Sequence, residues 1–114
     1  MTYITEQRED KDCAVAALAM FLGRDYDQVR SLVTRSLKDG GLFLNEIQAL
    51  ARFFGIKLRK GFGRPSRKCI LVIKDPGAVS HHAVVFDGVR AIDPWPYNYY
   101  TTEQNLRYTQ FYLY

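Results

Sequence analysis

The chain has 114 residues, 47% apolar and 25% charged, a balance that fits one soluble globular domain and excludes a disordered or fibrous chain. Its net charge of +4 and pI near 9.2 do not by themselves single out nucleic acid. No apolar run approaches the ~20 residues of a membrane span and the N-terminus lacks a signal-peptide core, so no membrane partner and a cytoplasmic location are expected.

The first predicted element is a helix from Cys13 to Gly23, rich in Ala and Leu, with Asp12 as its N-cap and Gly23 as its stop. It is apolar nearly all round, which calls for a central, enclosed helix. Val29, Leu32, Val33 and Leu37 recur at helical spacing and predict a second helix over 26–37. A third spans Leu44 to Phe54 and ends at Gly55.

After Gly55 the apolar period shortens. Ile56 to Lys60 alternates as a short strand, and a basic Gly/Pro loop follows over 61–68. Runs at 69–74, 81–86 and 89–93 then read as three antiparallel strands, joined by turns at Asp75-Pro76-Gly77 and Asp87-Gly88. The aromatic tail from Arg107 to Tyr114 adds a further strand. The expected class is α+β, with helices packed on a C-terminal antiparallel sheet in one domain over 1–114.

Chemistry concentrates at three positions. Cys13 opens the first helix, where free N–H groups and the dipole favour a thiolate. The adjacent Asp12 carboxylate works the other way. If Asp87-Gly88 is a two-residue turn, His82 lies directly across the hairpin from Asp93, with Cβ atoms about 5 Å apart. The carboxylate then holds one imidazole nitrogen and leaves the other for a thiol. His81, its neighbour on the strand, points to the opposite face. Cys69, in an apolar run, reads as a buried structural thiol, and both cysteines are expected reduced.

No metal or other cofactor is expected: Cys and His lack paired ligand spacing, and Gly61-Phe62-Gly63 lacks the tail and helix of a phosphate loop. Trp95, Tyr97, Tyr99 and Tyr100 form either a substrate wall or a cover over the core. The basic 57–68 stretch reads as a solvated loop, or as a face for an acidic or nucleic-acid partner.

With these residues in place, the chain resembles the papain-like superfamily, and within it the bacteriocin-processing peptidases that cleave double-glycine leaders. Gln7 stands six residues before the cysteine of an Asp12-Cys13 pair, and a small-residue helix, Ala14 to Met20, follows. His82-Ala83-Val84-Val85 opens a strand, Asp93-Pro94 follows on the next, and Leu44 to Ile56 is similar to that family's third helix. The sequence departs from the pattern at Ala14 and Ala83, which line the expected cleft. The resemblance implies a thiol peptidase acting on a peptide or protein, with Cys13 as nucleophile, His82 as general base, Asp93 orienting it and Gln7 in the oxyanion hole. Acyl transfer to an amine, and a non-catalytic or inhibitory binding module with a basic face, are the alternatives.

Overall fold

A computed structural model describes residues 4–8, 11–38, 40–74, 76–77, 80–95 and 102–114. Its first helix, α1 (Cys13–Leu22), has every side chain from Ala14 to Met20 buried. Gly23 closes it in the left-handed region (φ 66°), and the Arg24 N–H reaches back to the Ala19 carbonyl at 2.9 Å. α2 is only Tyr26–Arg30, shorter than its apolar spacing suggests. The chain continues through tight turns in which the Leu32 and Val33 N–H groups bond three residues back. Leu37 is still buried, so the apolar spacing served burial without requiring a helix. α3 is Leu44–Phe53. Before it, the Arg35 guanidinium pairs with Glu46 (2.7 Å) and donates to the Gly40 and Gly41 carbonyls (3.2 and 2.6 Å), fixing the α2–α3 connection.

The strands are β1 (Lys60–Gly61), β2 (Cys69–Ile73), β3 (His82–Phe86), β4 (Ala91–Ile92) and β5 (Thr109–Leu113), paired antiparallel in the order β1-β5-β2-β3-β4. The aromatic tail is therefore an inner strand, inserted between β1 and β2. A short helix, α4 (Thr102–Arg107), which the sequence reading did not anticipate, leads into it. Ile70, Ala83, Val85, Ile92 and Leu113 pack with α1, while Cys69, Leu71, Ile73, Val84 and Phe86 face the other way, beside Leu106 of α4, Tyr112 of β5 and the flanking Tyr108 and Tyr114. With α1 and α3 on one face and α4 on the other, the architecture is the expected α+β.

The hairpin differs in register from expectation. β3 and β4 pair Phe86 with Ala91 and Val85 with Ile92, so four residues, Asp87 to Arg90, form the connection. Asp87 Oδ1 accepts the N–H groups of Val89 (2.8 Å) and Arg90 (2.6 Å), which stabilises this wider turn over the two-residue one.

Leu18 is fully buried at the centre of α1. Leu18→Ala should cost about 2–5 kcal/mol in urea unfolding, whereas Phe53→Ala, on an exposed ring, should stay within ~0.5 kcal/mol.

Candidate active site

Packing, more than local capping, fixes the N-terminus of α1. Asp12 takes the expected N-cap position, its carbonyl accepting the Ala16 N–H at 3.2 Å, but with backbone angles of −108° and 17° it makes no side-chain cap bond. Its carboxylate, 0% exposed, turns sideways: Oδ2 accepts the Tyr26 hydroxyl at 2.6 Å and the Arg8 N–H at 2.8 Å. These donors draw the acidic charge away from the neighbouring thiol. Cys13, the first helical residue, is half-buried and unbridged.

His82 opens β3 and Asp93 follows β4. The wider turn makes them diagonal neighbours and not the directly opposed pair that the two-residue turn predicts. Because the slip is two positions, the parity survives and both side chains still meet. His82 Nε2 lies 2.7 Å from Asp93 Oδ1, with the side chains 24% and 2% exposed. The same oxygen accepts the Trp95 N–H at 2.8 Å, which holds the carboxylate still. Asp93 Oδ2 receives no hydrogen bond from a described residue, so an imidazolium is the charge that balances this buried acid.

Cys13 meets the same ring. Burial, the largest single influence on His82, favours the neutral ring. Hydrogen bonds to Asp93 and to Cys13, with the charges of both, outweigh it and push the imidazole up to about 10. With Nε2 taken by the carboxylate, Nδ1 is the nitrogen left for sulfur. Cys13, His82 and Asp93 thus form one hydrogen-bonded chain. Burial pushes the thiol of Cys69 up to about 12 and encloses it completely on the other side of the sheet. His81 is exposed and takes no part.

Gln7 is buried, and its N–H donates to the Pro94 carbonyl at 2.8 Å. Two successive N–H groups, on Gln7 and Arg8, therefore tie this segment to the residues beside Asp93 and Cys13 respectively. Tyr26 and Arg8 escaped the sequence reading as parts of the site. The available signal was a tyrosine on a buried helical position, whose hydroxyl needs a polar partner. Trp95 is half-buried beside Asp93, while Tyr97, Tyr99 and Tyr100 lie outside the described residues.

Comparison with known proteins gives one fold relationship among its findings. The chain superposes, with a TM-score of 0.71 over 99% of its length and 89% of the other chain, on a crystal structure of a double glycine motif protease from an AMS/PCAT transporter in complex with the leader peptide. Identity is 23%, so what is shared is the fold, an arrangement of helices on an antiparallel sheet. No protein-family model and no curated protein matches the sequence.

Two measurements check this geometry. Because His82 titrates near 10 in the folded state against 6.5 ordinarily, its contribution to stability is complete below pH ~6.5 and lost as pH rises towards ~10. The stability gap between wild type and His82→Ala, read by thermal melts, should narrow over that interval, and the NMR midpoint of His82 should drop sharply in Asp93→Ala. Asp12→Ala strips the buried Tyr26 hydroxyl of this acceptor and should cost about 1–3 kcal/mol, whereas Asp12→Asn, which keeps an acceptor oxygen, should cost clearly less in the same urea titration.

Proposed function

We propose that this chain is a cysteine peptidase domain that cleaves peptide bonds through a Cys13 thioester. The observation that carries the reading is the single imidazole of His82, hydrogen-bonded to a buried carboxylate on one side and to a helix-start thiol on the other. In the resting pair the proton resides on His82 and the negative charge on sulfur, favoured by the N–H groups of the first turn of α1. The sulfur attacks the scissile carbonyl. The oxyanion that forms is met by the backbone N–H of Cys13 and the side-chain amide of Gln7, and His82 hands its proton to the departing amine. Water then adds to the thioester, His82 takes up its proton, and the acid leaves as sulfur regains its charge. Asp93 never reacts; it holds the ring in the tautomer and plane that these transfers need.

A shared fold with a double-glycine protease supports peptide as the substrate class, and a double-glycine leader is the first sequence to try. Two unbridged cysteines suit a reducing, cytoplasmic setting.

The decisive experiment is stoichiometric iodoacetamide labelling at neutral pH, followed by mass spectrometry of both cysteine peptides. Cys13 should label at least about a hundredfold faster than Cys69, and His82→Ala should remove most of that advantage. Equal, slow labelling of both thiols, unaffected by His82→Ala, would overturn the reading in favour of a non-catalytic binding module. With a cleavable peptide in hand, Cys13→Ser should abolish turnover, and Gln7→Ala should lower kcat about a hundredfold with little change in KM.

A further inference from the structure

The charges are unevenly distributed along the chain. Between Ile47 and Lys74 there is no Asp or Glu, yet eight Lys and Arg residues fall there. The fold gathers half of them at one place. An open groove of about 540 Å³ is lined by Phe21, Ile56, Lys57, Arg59, Arg67 and Tyr114, and among the described residues no carboxylate side chain lines it. Lys68 joins the rim, its Nζ 5.5 Å from the Phe21 ring, and Arg67 sits 5.3 Å over Tyr114. The rings hold these cations in place, which lowers the entropic cost of presenting them to an anion.

Beside the groove runs the open edge of the sheet. Arg59 exchanges both main-chain hydrogen bonds with Tyr114 (2.7 and 2.9 Å), and Gly61 pairs with Tyr112. Antiparallel alternation then turns the N–H and C=O of Lys60 outward, along the free side of β1. A lysine on such an edge disfavours pairing with a basic strand and is best matched by an acidic one.

We infer that this groove and edge form a docking site for an acidic peptide segment. The inference rests on the peptidase reading in assigning that segment to the substrate, at a distance from the scissile bond. Phe21 lies eight residues along α1 from Cys13, about 12 Å at the helical rise, so the site is separate from the reacting groups. An unpaired nucleic acid strand is the other polyanion to weigh, and it needs free aromatic faces on which bases stack. Here Phe21, Phe111 and Tyr114 each already carry a cation of the chain over the ring, Phe111 through Lys60 at 4.2 Å. A peptide needs only carboxylates and a main chain, and the groove and edge supply partners for both.

Binding can be read without catalysis, using the full chain as Cys13→Ala and fluorescein-labelled deca-glutamate in an anisotropy titration. Saturable binding is expected at about 50 mM salt, weakening about tenfold or more by ~300 mM. Arg59→Glu with Arg67→Glu should reduce affinity about tenfold or more, while Lys38→Glu with Lys74→Glu, an equal charge change away from the groove, should reduce it less than about threefold. Lys57→Gln with Lys68→Gln gives a milder test, with an expected loss of about threefold or more, should the first pair fail to fold. No binding of deca-glutamate, or equal losses in the groove and remote pairs, would overturn the inference. Tighter binding of an oligothymidylate than of deca-glutamate would overturn the choice of a peptide. Because the thiol is absent, these outcomes are independent of whether Cys13 proves reactive.

Discussion

A ten-residue helix with no polar face has to be enclosed, and the rest of the molecule is arranged around doing so for α1. Alanines at 14, 16, 17 and 19 keep it thin, so that β2 and β3 approach on one side and α2 and α3 on the others. Such a helix leaves a reactive group only its two ends, where enclosure stops, and only the N-terminal one offers free N–H groups. Cys13 occupies that end, half-buried, with its first-turn N–H groups around it. Packing against β3 also brings it to the strand that starts with His82, so a single apolar demand sets both the exposure of the thiol and its distance from the base.

Enclosure alone would leave the site electrostatically unfavourable, because two buried carboxylates stand within it. Asp93 favours the imidazolium, and Asp12 opposes a thiolate next door. The structure separates the two effects by giving each acid its own donors. Asp93 receives His82 and the Trp95 N–H; Asp12 receives Tyr26 and the Arg8 N–H, while the Arg8 guanidinium stacks 4.2 Å from the Tyr26 ring. The strap carrying Gln7 and Arg8 is thereby bonded to the helical side through Asp12 and to the sheet side through Pro94. It crosses the boundary between the two layers where the candidate nucleophile and base meet.

The parts of the fold legible in the sequence were those carried by local, repeated signals. The enclosed helix, α3, and the strands at 69–73 and 82–86 all follow from apolar period and turn residues. The meeting of His82 and Asp93 was legible because strand alternation is insensitive to a slip of two. An even error in register moved His82 from opposite Asp93 to its diagonal and left the pair within reach. An odd error would have parted them. Long-range placement was not legible. Nothing local says that a C-terminal strand enters the middle of a sheet, and α4, at six residues, is too short for a periodic signal. Likewise the N-cap position of Asp12 was legible because capping is a local rule, whereas one partner of its carboxylate, Tyr26, is fourteen residues away and was not.

The charge map gives the enzyme reading a direction. All twelve acidic residues fall outside 47–74, and Glu6, Asp12, Asp25, Asp27 and Asp93 belong to the segments nearest Cys13. The cationic groove lies beyond the opposite end of α1, beside Phe21. Basic charge unopposed by acid is therefore concentrated a helix length from the candidate nucleophile. Near Cys13, by contrast, Arg8, Lys11 and Arg24 stand among the acids, Arg8 pairs with Asp27, and Asp12 and Asp93 are buried on their own donors. On the docking inference, an acidic peptide would be held at the groove and a neutral one would not be steered to it. Segregated charge of this kind bears on association more than on fold stability, so it speaks to what the groove meets and not to how the fold is held together.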